Sequence, residues 1–206
     1  MPNDGLVSHP DGVSRCWWPG ADPLYVAYHD QEWGRPVTDE HLLFEHLCLE
    51  VFQAGLSWIT ILRKREAFRR AFAGFDPAKI AAFGPQDVVR LMDDVGIVRN
   101  RRKIDATIAN ARCFVDLRRE GETLATLMWR FEPRRATAPT TIADLPATSP
   151  ESHALSRELK QRGWTFVGPT GVYACMQAVG IVNDHLAACA LRGECLAARA
   201  RIAVPV

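Results

Sequence analysis

The residues whose types could best bind a ligand or take part in a reaction surround one carboxylate, Glu50. From Leu43, apolar or small residues recur at helical spacing through Val51 and Ala54, and Glu50 falls on the same face. Because removing an unpaired carboxylate from water is costly, Glu50 needs a cation, hydrogen-bond donors or a ligand that supplies them. Periodicity alone leaves a buried ion pair open as the alternative.

Aromatic residues are concentrated before this helix and directly after it. Such rings usually form core. A carboxylate among electron-rich faces also suits a flat cation that donates a hydrogen bond, such as an alkylated purine. The residues concerned are Trp17, Trp18, Tyr25, Tyr28, Trp33 and Trp58.

Two Cys/His pairs have the composition of a metal site. Cys16 and His29 lie near the start of the chain, and His185 and Cys189 lie four residues apart on a predicted helix, where they would share one face. Two thiolates and two imidazoles suit zinc, and four protein ligands leave no open position, so the metal would be structural and would join the two ends of the fold. The alternative is that these cysteines are small core residues, as we interpret the other four.

A short turn between two predicted helices could hold a phosphate. Gly96 permits a tight turn, and the helix that follows Val98 and Arg99, and includes Lys103, presents free backbone N–H groups. A helix C-cap followed by a surface loop explains the same stretch. The basic cluster Arg63-Lys64-Arg65 is equally compatible with a solvated helix face.

Composition and sequence pattern argue against a membrane protein and against a secreted protein. The chain has 206 residues, 48% of them hydrophobic, with a net charge of +1, which gives no overall attraction to a polyanion. No apolar run approaches the length of a membrane span, and we expect no membrane association. With no secretory signal and six cysteines, the sequence predicts a cytoplasmic protein with reduced thiols.

The elements that must position these residues are helices throughout. Caps such as Asp22-Pro23 and stops such as Gly34 predict an all-α protein of about nine helices, and no strand pattern is evident. One long helix is predicted over 99–120 and a last one over 172–191. We expect residues 1–14 to form a disordered leader, and leave residues 192–206 as an unassigned tail.

Several motifs resemble those of the 3-methyladenine DNA glycosylase I family of the helix-hairpin-helix superfamily. The resemblance covers residues 15 to 189. It implies a single unit over 15–191 with two helical lobes and a hairpin near 95–103. The motifs are Cys16-x-Trp18, the run from Asp22 to Gly34, the stretch from Leu49 to Trp58, and Val182-Asn183-Asp184-His185 with Cys189.

The resemblance also implies an activity and roles for individual residues. Such an enzyme flips 3-methyladenine out of alkylated duplex DNA and hydrolyses its N-glycosidic bond, with one structural zinc and no exchangeable organic cofactor. Glu50 and Tyr28 would hydrogen-bond the base, Trp58 would stack on it, and Trp18 and Trp33 would line the pocket. Gly55 and Leu56 would probe the gap in the DNA, while Gly96, Val98, Arg99 and Lys103 would hold its backbone. The zinc ligands would be Cys16, His29, His185 and Cys189.

Other expectations are narrower. Asp116 stands at about the distance from the hairpin where related glycosylases place a catalytic aspartate, but a surface ion pair explains it and this family is thought to do without that residue. We expect a monofunctional, monomeric enzyme with no lyase step. Val51 stands where many relatives have a smaller residue, which affects the expected pocket shape. The competing hypothesis is a zinc-stabilised protein that binds DNA lesions without catalysis.

Overall fold

The computed structural model describes residues 5–134 and 137–205. Within these ranges there are ten α-helices, two short strands and two 3-10 turns, at Ala73–Phe75 and Ile142–Asp144. The helices are α1 Pro23–Gln31, α2 Glu40–Gln53, α3 Trp58–Ala71, α4 Pro77–Ala81, α5 Pro85–Asp93, α6 Arg101–Arg119, α7 Leu124–Trp129, α8 Pro150–Gln161, α9 Pro169–Ala178 and α10 Arg192–Arg201.

Local capping explains where most of these helices begin. Asp22 accepts hydrogen bonds from the first backbone N–H groups of α1, and Asp39 does the same for α2. Proline occupies the first turn of α1, α4, α5, α8 and α9. The predicted starts of these elements therefore agree with the structure to within a few residues, although α7 gave no pattern that we recognised.

One large hydrophobic core joins the helices. Helix α2 packs against α3, α6, α7 and α9, and α6 packs against α4 and α5. Leu43, Leu47 and Val51 of α2 are buried, as the apolar stripe predicted. Helix α2 therefore carries Glu50 through the middle of the fold.

The prediction of a disordered leader is wrong for the part of it that the structure describes. Strand β1, Leu6–Ser8, pairs antiparallel with β2, Ser14–Cys16, so the fold is mostly helical rather than strictly all-α. Asp11-Gly12 between them is a common hairpin turn sequence that the sequence analysis overlooked, and Gly12 has φ +78°. The hairpin ends at Cys16, so the leader positions a candidate metal ligand. Residues 1–4 lie outside the described residues.

The last predicted helix is also wrong in its second half. Helix α9 ends at Ala178, and residues 179–191 follow as turns. Gly180 has φ +72°, and a Cβ there would lie 2.4 Å from the backbone carbon of Arg35. Close contact with the Arg35 segment and the positive φ both require glycine, and they redirect the chain.

The unassigned tail forms α10 and packs on the fold. Cys195 is buried, and Arg199 forms an ion pair with Glu132 at 2.6 Å while its guanidinium lies over the ring of Trp129. Arg192 donates hydrogen bonds to the carbonyl oxygens of Asn183 and His185. Helix α10 therefore supports the loop that carries His185. In the described part of the chain, no helix is long and apolar enough to cross a membrane.

Candidate functional site

The four predicted metal ligands come together in one buried group. The ligand atoms of Cys16, His29, His185 and Cys189 all lie within 4.8 Å of one another. Cys189 Sγ is 3.4 Å from His185 Nδ1 and 3.7 Å from His29 Nε2. These separations match the edges of a tetrahedron around zinc, whose bonds to sulfur and nitrogen are about 2.3 and 2.1 Å.

Each histidine is oriented by a partner on its other nitrogen. His29 Nδ1 lies 2.7 Å from Asp30 Oδ1, and Asp30 is in turn held by two hydrogen bonds from the buried guanidinium of Arg15. His185 Nε2 lies 3.0 Å from the carbonyl oxygen of Trp33. Both rings therefore direct their free nitrogen at the cysteines, which is the usual outer arrangement of a histidine–zinc site.

The local structure that carries His185 and Cys189 differs from the predicted helix. They lie on the turns of 179–191 rather than on one face of a helix. Cys189 N donates to the carbonyl oxygen of Leu186, and Leu186 N donates to Cys16 Sγ. The tight turn, and not helical periodicity, brings the two ligands together.

The aromatic residues form a cavity of about 300 Å³ beside the Cys/His group. Trp18 stacks edge-on against His29, at 5.1 Å between ring centroids, and Trp33 against His185, at 4.6 Å. Tyr28 and Trp58 face each other at 5.3 Å. The cavity is lined by Trp17, Trp18, Tyr25, Tyr28, Trp33, Glu50, Gln53, Trp58, Leu145, Ala174, Gln177 and Ala178.

Glu50 projects into this cavity from α2. No hydrogen-bond or ion-pair partner of its carboxylate is found among the described residues, so the described part of the chain does not contain the buried ion pair that periodicity left open. Burial raises the pKa of Glu50 to about 8, so its carboxyl group favours the protonated form at neutral pH. Trp58 also lines the cavity, and its Nε1 is buried without a hydrogen-bond partner in the described chain.

Tyr28 stays a neutral phenol in this setting. It is buried, and burial, followed by the nearby charge of Glu50, raises the pKa of its hydroxyl well above the usual value. Tyr28 can therefore donate a hydrogen bond across the working pH range.

Sequence reasoning missed two polar residues of the cavity. Gln53 follows Glu50 by three residues on α2, a spacing that could have identified it. Gln177 donates to Asp184 at 2.7 Å, and Tyr173 donates to the same carboxylate oxygen at 2.6 Å. No sequence spacing links Gln177 to Glu50, because only the packing of α9 on α2 brings them together.

A second cavity of about 440 Å³ adjoins the first and shares Glu50, Gln53 and Ala174 with it. Gly55 and Leu56, at the end of α2, line it, and Leu56 is 43% exposed. It is also lined by residues of the loop before α9 and of its first turn, namely Phe166, Gly168, Thr170 and Gly171.

The predicted turn between helices is present at 94–100, between α5 and α6. Gly96 is not needed for a positive φ; instead a Cβ there would lie 2.9 Å from Asp94 Oδ1 and 3.0 Å from Ala67 Cβ. Lys64 donates from α3 to the carbonyl oxygens of Val95 and Gly96. Val98 is half-buried and Arg99 is exposed. The turn is therefore held firmly, with Arg99 facing solvent.

Lys103 corrects one of our expectations. Its side chain is buried, and its Nζ donates to the carbonyl oxygens of Phe52 at 2.8 Å and Ala54 at 2.6 Å. Burial lowers the pKa of its ammonium. Two of the three N–H donors of this ammonium are used in these bonds, so Lys103 caps the end of α2 and fixes the backbone before Gly55 and Leu56.

This arrangement makes Lys103→Met a test of loop positioning. Loss of two charge-assisted hydrogen bonds to buried carbonyls should lower the free energy of unfolding by about 1 to 3 kcal/mol. We expect chemical denaturation to show this loss, with the exposed Lys160→Met of α8 as the matched control. Equal stability of the two variants would assign Lys103 to the surface role that the sequence predicted.

Asp116 lies outside both cavities. Its side chain is 62% exposed and pairs with Arg119 at 3.0 Å on the outer face of α6. The surface ion pair is the observed arrangement. Arg63 forms a surface ion pair with Asp22, whereas Arg65, at 15% side-chain exposure, forms a half-buried pair with Glu32.

The site and fold define a helical protein with a Cys₂His₂ group beside an aromatic cavity that contains one unpartnered carboxylate. The sequence profile of the methyladenine glycosylase family matches residues 18–192. DNA-3-methyladenine glycosylase 1 of Escherichia coli (strain K12) is 50% identical over 179 residues, which cover 86% of this chain and 96% of that protein.

Solved structures of 3-methyladenine DNA glycosylase I are also similar to this chain. A crystal structure of 3-methyladenine DNA glycosylase I has a TM-score of 0.83 at 49% identity and covers 85% of this chain and 98% of its own. A tyrosine-to-phenylalanine variant of such an enzyme in complex with 3-methyladenine has a TM-score of 0.82 at 34% identity, with coverage of 86% and 97%. The chain belongs to the methyladenine glycosylase family.

Proposed function

We propose that this protein is a DNA repair glycosylase that extrudes 3-methyladenine from alkylated duplex DNA and hydrolyses its N-glycosidic bond. Relatives of this chain in Escherichia coli and Haemophilus influenzae are named DNA-3-methyladenine glycosylases. The observation that carries the proposal is Glu50, a half-buried carboxylate without a partner among the described residues, in an aromatic cavity of about 300 Å³. Aromatic faces around a carboxylate suit a flat cation that donates a hydrogen bond.

Charge explains why this cavity would prefer the lesion. Methylation at N3 makes the base in DNA cationic, whereas adenine is neutral. When the cation enters, its field favours ionised Glu50, so the carboxylate accepts a hydrogen bond from the base as an anion. Trp58 stacks on the base, Tyr28 donates a hydrogen bond, and Trp18 and Trp33 form the walls.

The cationic base is already a good leaving group. As the bond between C1′ and N9 breaks, its electron pair moves to the base and neutralises it. Water adds to C1′ and releases a proton to solvent, which leaves an abasic sugar. Little general-acid help is required, so Glu50 acts by holding the cationic base, and no lysine forms a covalent intermediate in this monofunctional reaction.

The remaining roles concern DNA and the metal. Extrusion of a poorly stacked lesion costs a few kcal/mol, and Leu56 beside Gly55 would fill part of the gap. The turn at 94–100, as a helix-hairpin-helix element, would hold the DNA backbone through Gly96, Val98 and Arg99. Cys16, His29, His185 and Cys189 fit one structural zinc, which would fix the histidines against Trp18 and Trp33.

The deciding experiment measures base release. Duplex DNA methylated with dimethyl sulfate should yield free 3-methyladenine, detected by chromatography, and an equal number of alkali-sensitive abasic sites. A protein that binds methylated DNA tightly but releases no base would be the lesion-binding protein, and our proposal would be wrong.

A further inference from the structure

Phe166, in the loop between α8 and α9, has an unusual backbone and an unusual exposure. Its φ is +58°, a left-handed conformation that bulky residues rarely adopt, and its side chain is 43% exposed. Such strain persists only where surrounding structure imposes it, and it is concentrated at functional sites. Nothing in the sequence analysis identified this residue.

The residues on either side of Phe166 are held from below. Asn110, buried on α6, donates from Nδ2 to the carbonyl oxygen of Thr165 at 3.1 Å and accepts from Thr165 N at 2.8 Å. Ser156, buried on α8, donates to the carbonyl oxygen of Val167 at 2.6 Å. Trp164 and Val167 are both buried. The loop is therefore a rigid support that directs one aromatic ring outward.

That ring lines the same cavity as Leu56 and Glu50. Phe166 and Leu56 are equally exposed at 43%, and both line the cavity of about 440 Å³ that adjoins the base cavity, from segments far apart in the chain. Glu50 is the only charged side chain among the described residues that line it. An apolar opening continuous with the base cavity is where the neighbours of an extruded nucleotide would lie.

We propose that Phe166 is a second DNA wedge, which stacks on a base next to the extruded nucleotide while Leu56 occupies the gap. This inference rests on the proposed function. An aromatic face stacks on any base, so the contact would add affinity without demanding a sequence. Because the loop is already ordered, little conformational freedom is lost on binding.

Phe166→Gly tests the wedge, because glycine adopts this φ without strain. Its thermal midpoint should stay close to that of the wild type, while its affinity for a duplex with a tetrahydrofuran abasic analogue should fall about tenfold. Affinity for free 3-methyladenine, followed by tryptophan fluorescence, should change less than about twofold. Phe166→Tyr should restore DNA affinity. Leu42→Ala, at the same 43% exposure but outside both cavities, is the control.

The outcomes separate the wedge from the activity. If the wild type releases 3-methyladenine but Phe166→Gly binds the abasic duplex as tightly as Leu42→Ala, the wedge is wrong and the proposed function stands. If Phe166→Gly loses DNA affinity while the wild type releases no base, the wedge stands and the proposed function is wrong. A fall in the thermal midpoint large enough to explain the loss of affinity by unfolding would make Phe166 structural. That result would also overturn the wedge.

Discussion

Replacing Glu50 with glutamine is expected to reduce release of 3-methyladenine, or binding of the free base, more than about tenfold. The amide has almost the same shape and can still accept a hydrogen bond. It cannot supply the negative charge that a cationic base requires. Single-turnover release from methylated duplex DNA measures the effect, and zinc content should be unchanged because Glu50 lies outside the Cys/His group.

The same substitution, Glu50→Gln, should raise the free energy of unfolding at high pH although it lowers activity. The pKa of Glu50 is about 8 in the folded chain, against an ordinary value of 4.5, so the folded state binds more protons between these values and loses stability as pH rises through them. Glu50→Gln removes that loss. Above pH 8 the variant should be more stable than the wild type by up to about 5 kcal/mol, measured by chemical denaturation.

The pH profile supplies a further readout of the same group. The free enzyme must ionise Glu50 before or as the cation binds, so kcat/KM of the wild type should rise with pH up to about 8. The profile of Glu50→Gln should lack this rise. Glu66→Gln, 70% exposed on α3, is the matched control and should behave as the wild type. Equal activity of Glu50→Gln and the wild type would leave Glu50 a purely structural carboxylate.

Removing the metal site should have the largest effect on folding. We expect one zinc per chain, and Cys189→Ala should lower the free energy of unfolding by more than about 3 kcal/mol, because metal binding contributes directly to folding. The site joins the strand that ends at Cys16, helix α1 and the turns at 179–191. Its loss would remove the link between these three segments.

Zinc content by mass spectrometry and the yield of folded protein test this expectation. Cys113→Ala, a partly exposed cysteine of α6 outside the group, is the control. The fraction of Cys189→Ala that folds should release base with chemistry close to that of the wild type, because no ligand of the group contributes to the reaction itself. A metal-free protein that is fully folded and active would contradict the structural role.

Local sequence was sufficient to predict most of the helices and several of the residues that meet in the candidate site. Asp22 and Asp39 cap helices wherever they occur before a suitable run, and an apolar repeat buries one face, so α1 and α2 follow from short-range physics. The identity of the four Cys/His residues and of Glu50 followed from residue chemistry and from the family resemblance. The helix starts and the apolar stripes depend on neighbours within one or two helical turns.

Tertiary structure decided what depends on distant contacts. The sequence predicts that Lys103 contacts the DNA backbone. In the structure its ammonium caps α2, because the end of that helix lies beside it. His185 and Cys189 meet on a turn because Gly180 must pack against Arg35, and the leader forms a hairpin that ends at Cys16. Phe166 is directed outward by buried side chains from α6 and α8. The sequence by itself therefore determined the helices and the chemical groups, whereas only the packing of segments far apart in the chain decided which of those groups are free to meet a ligand.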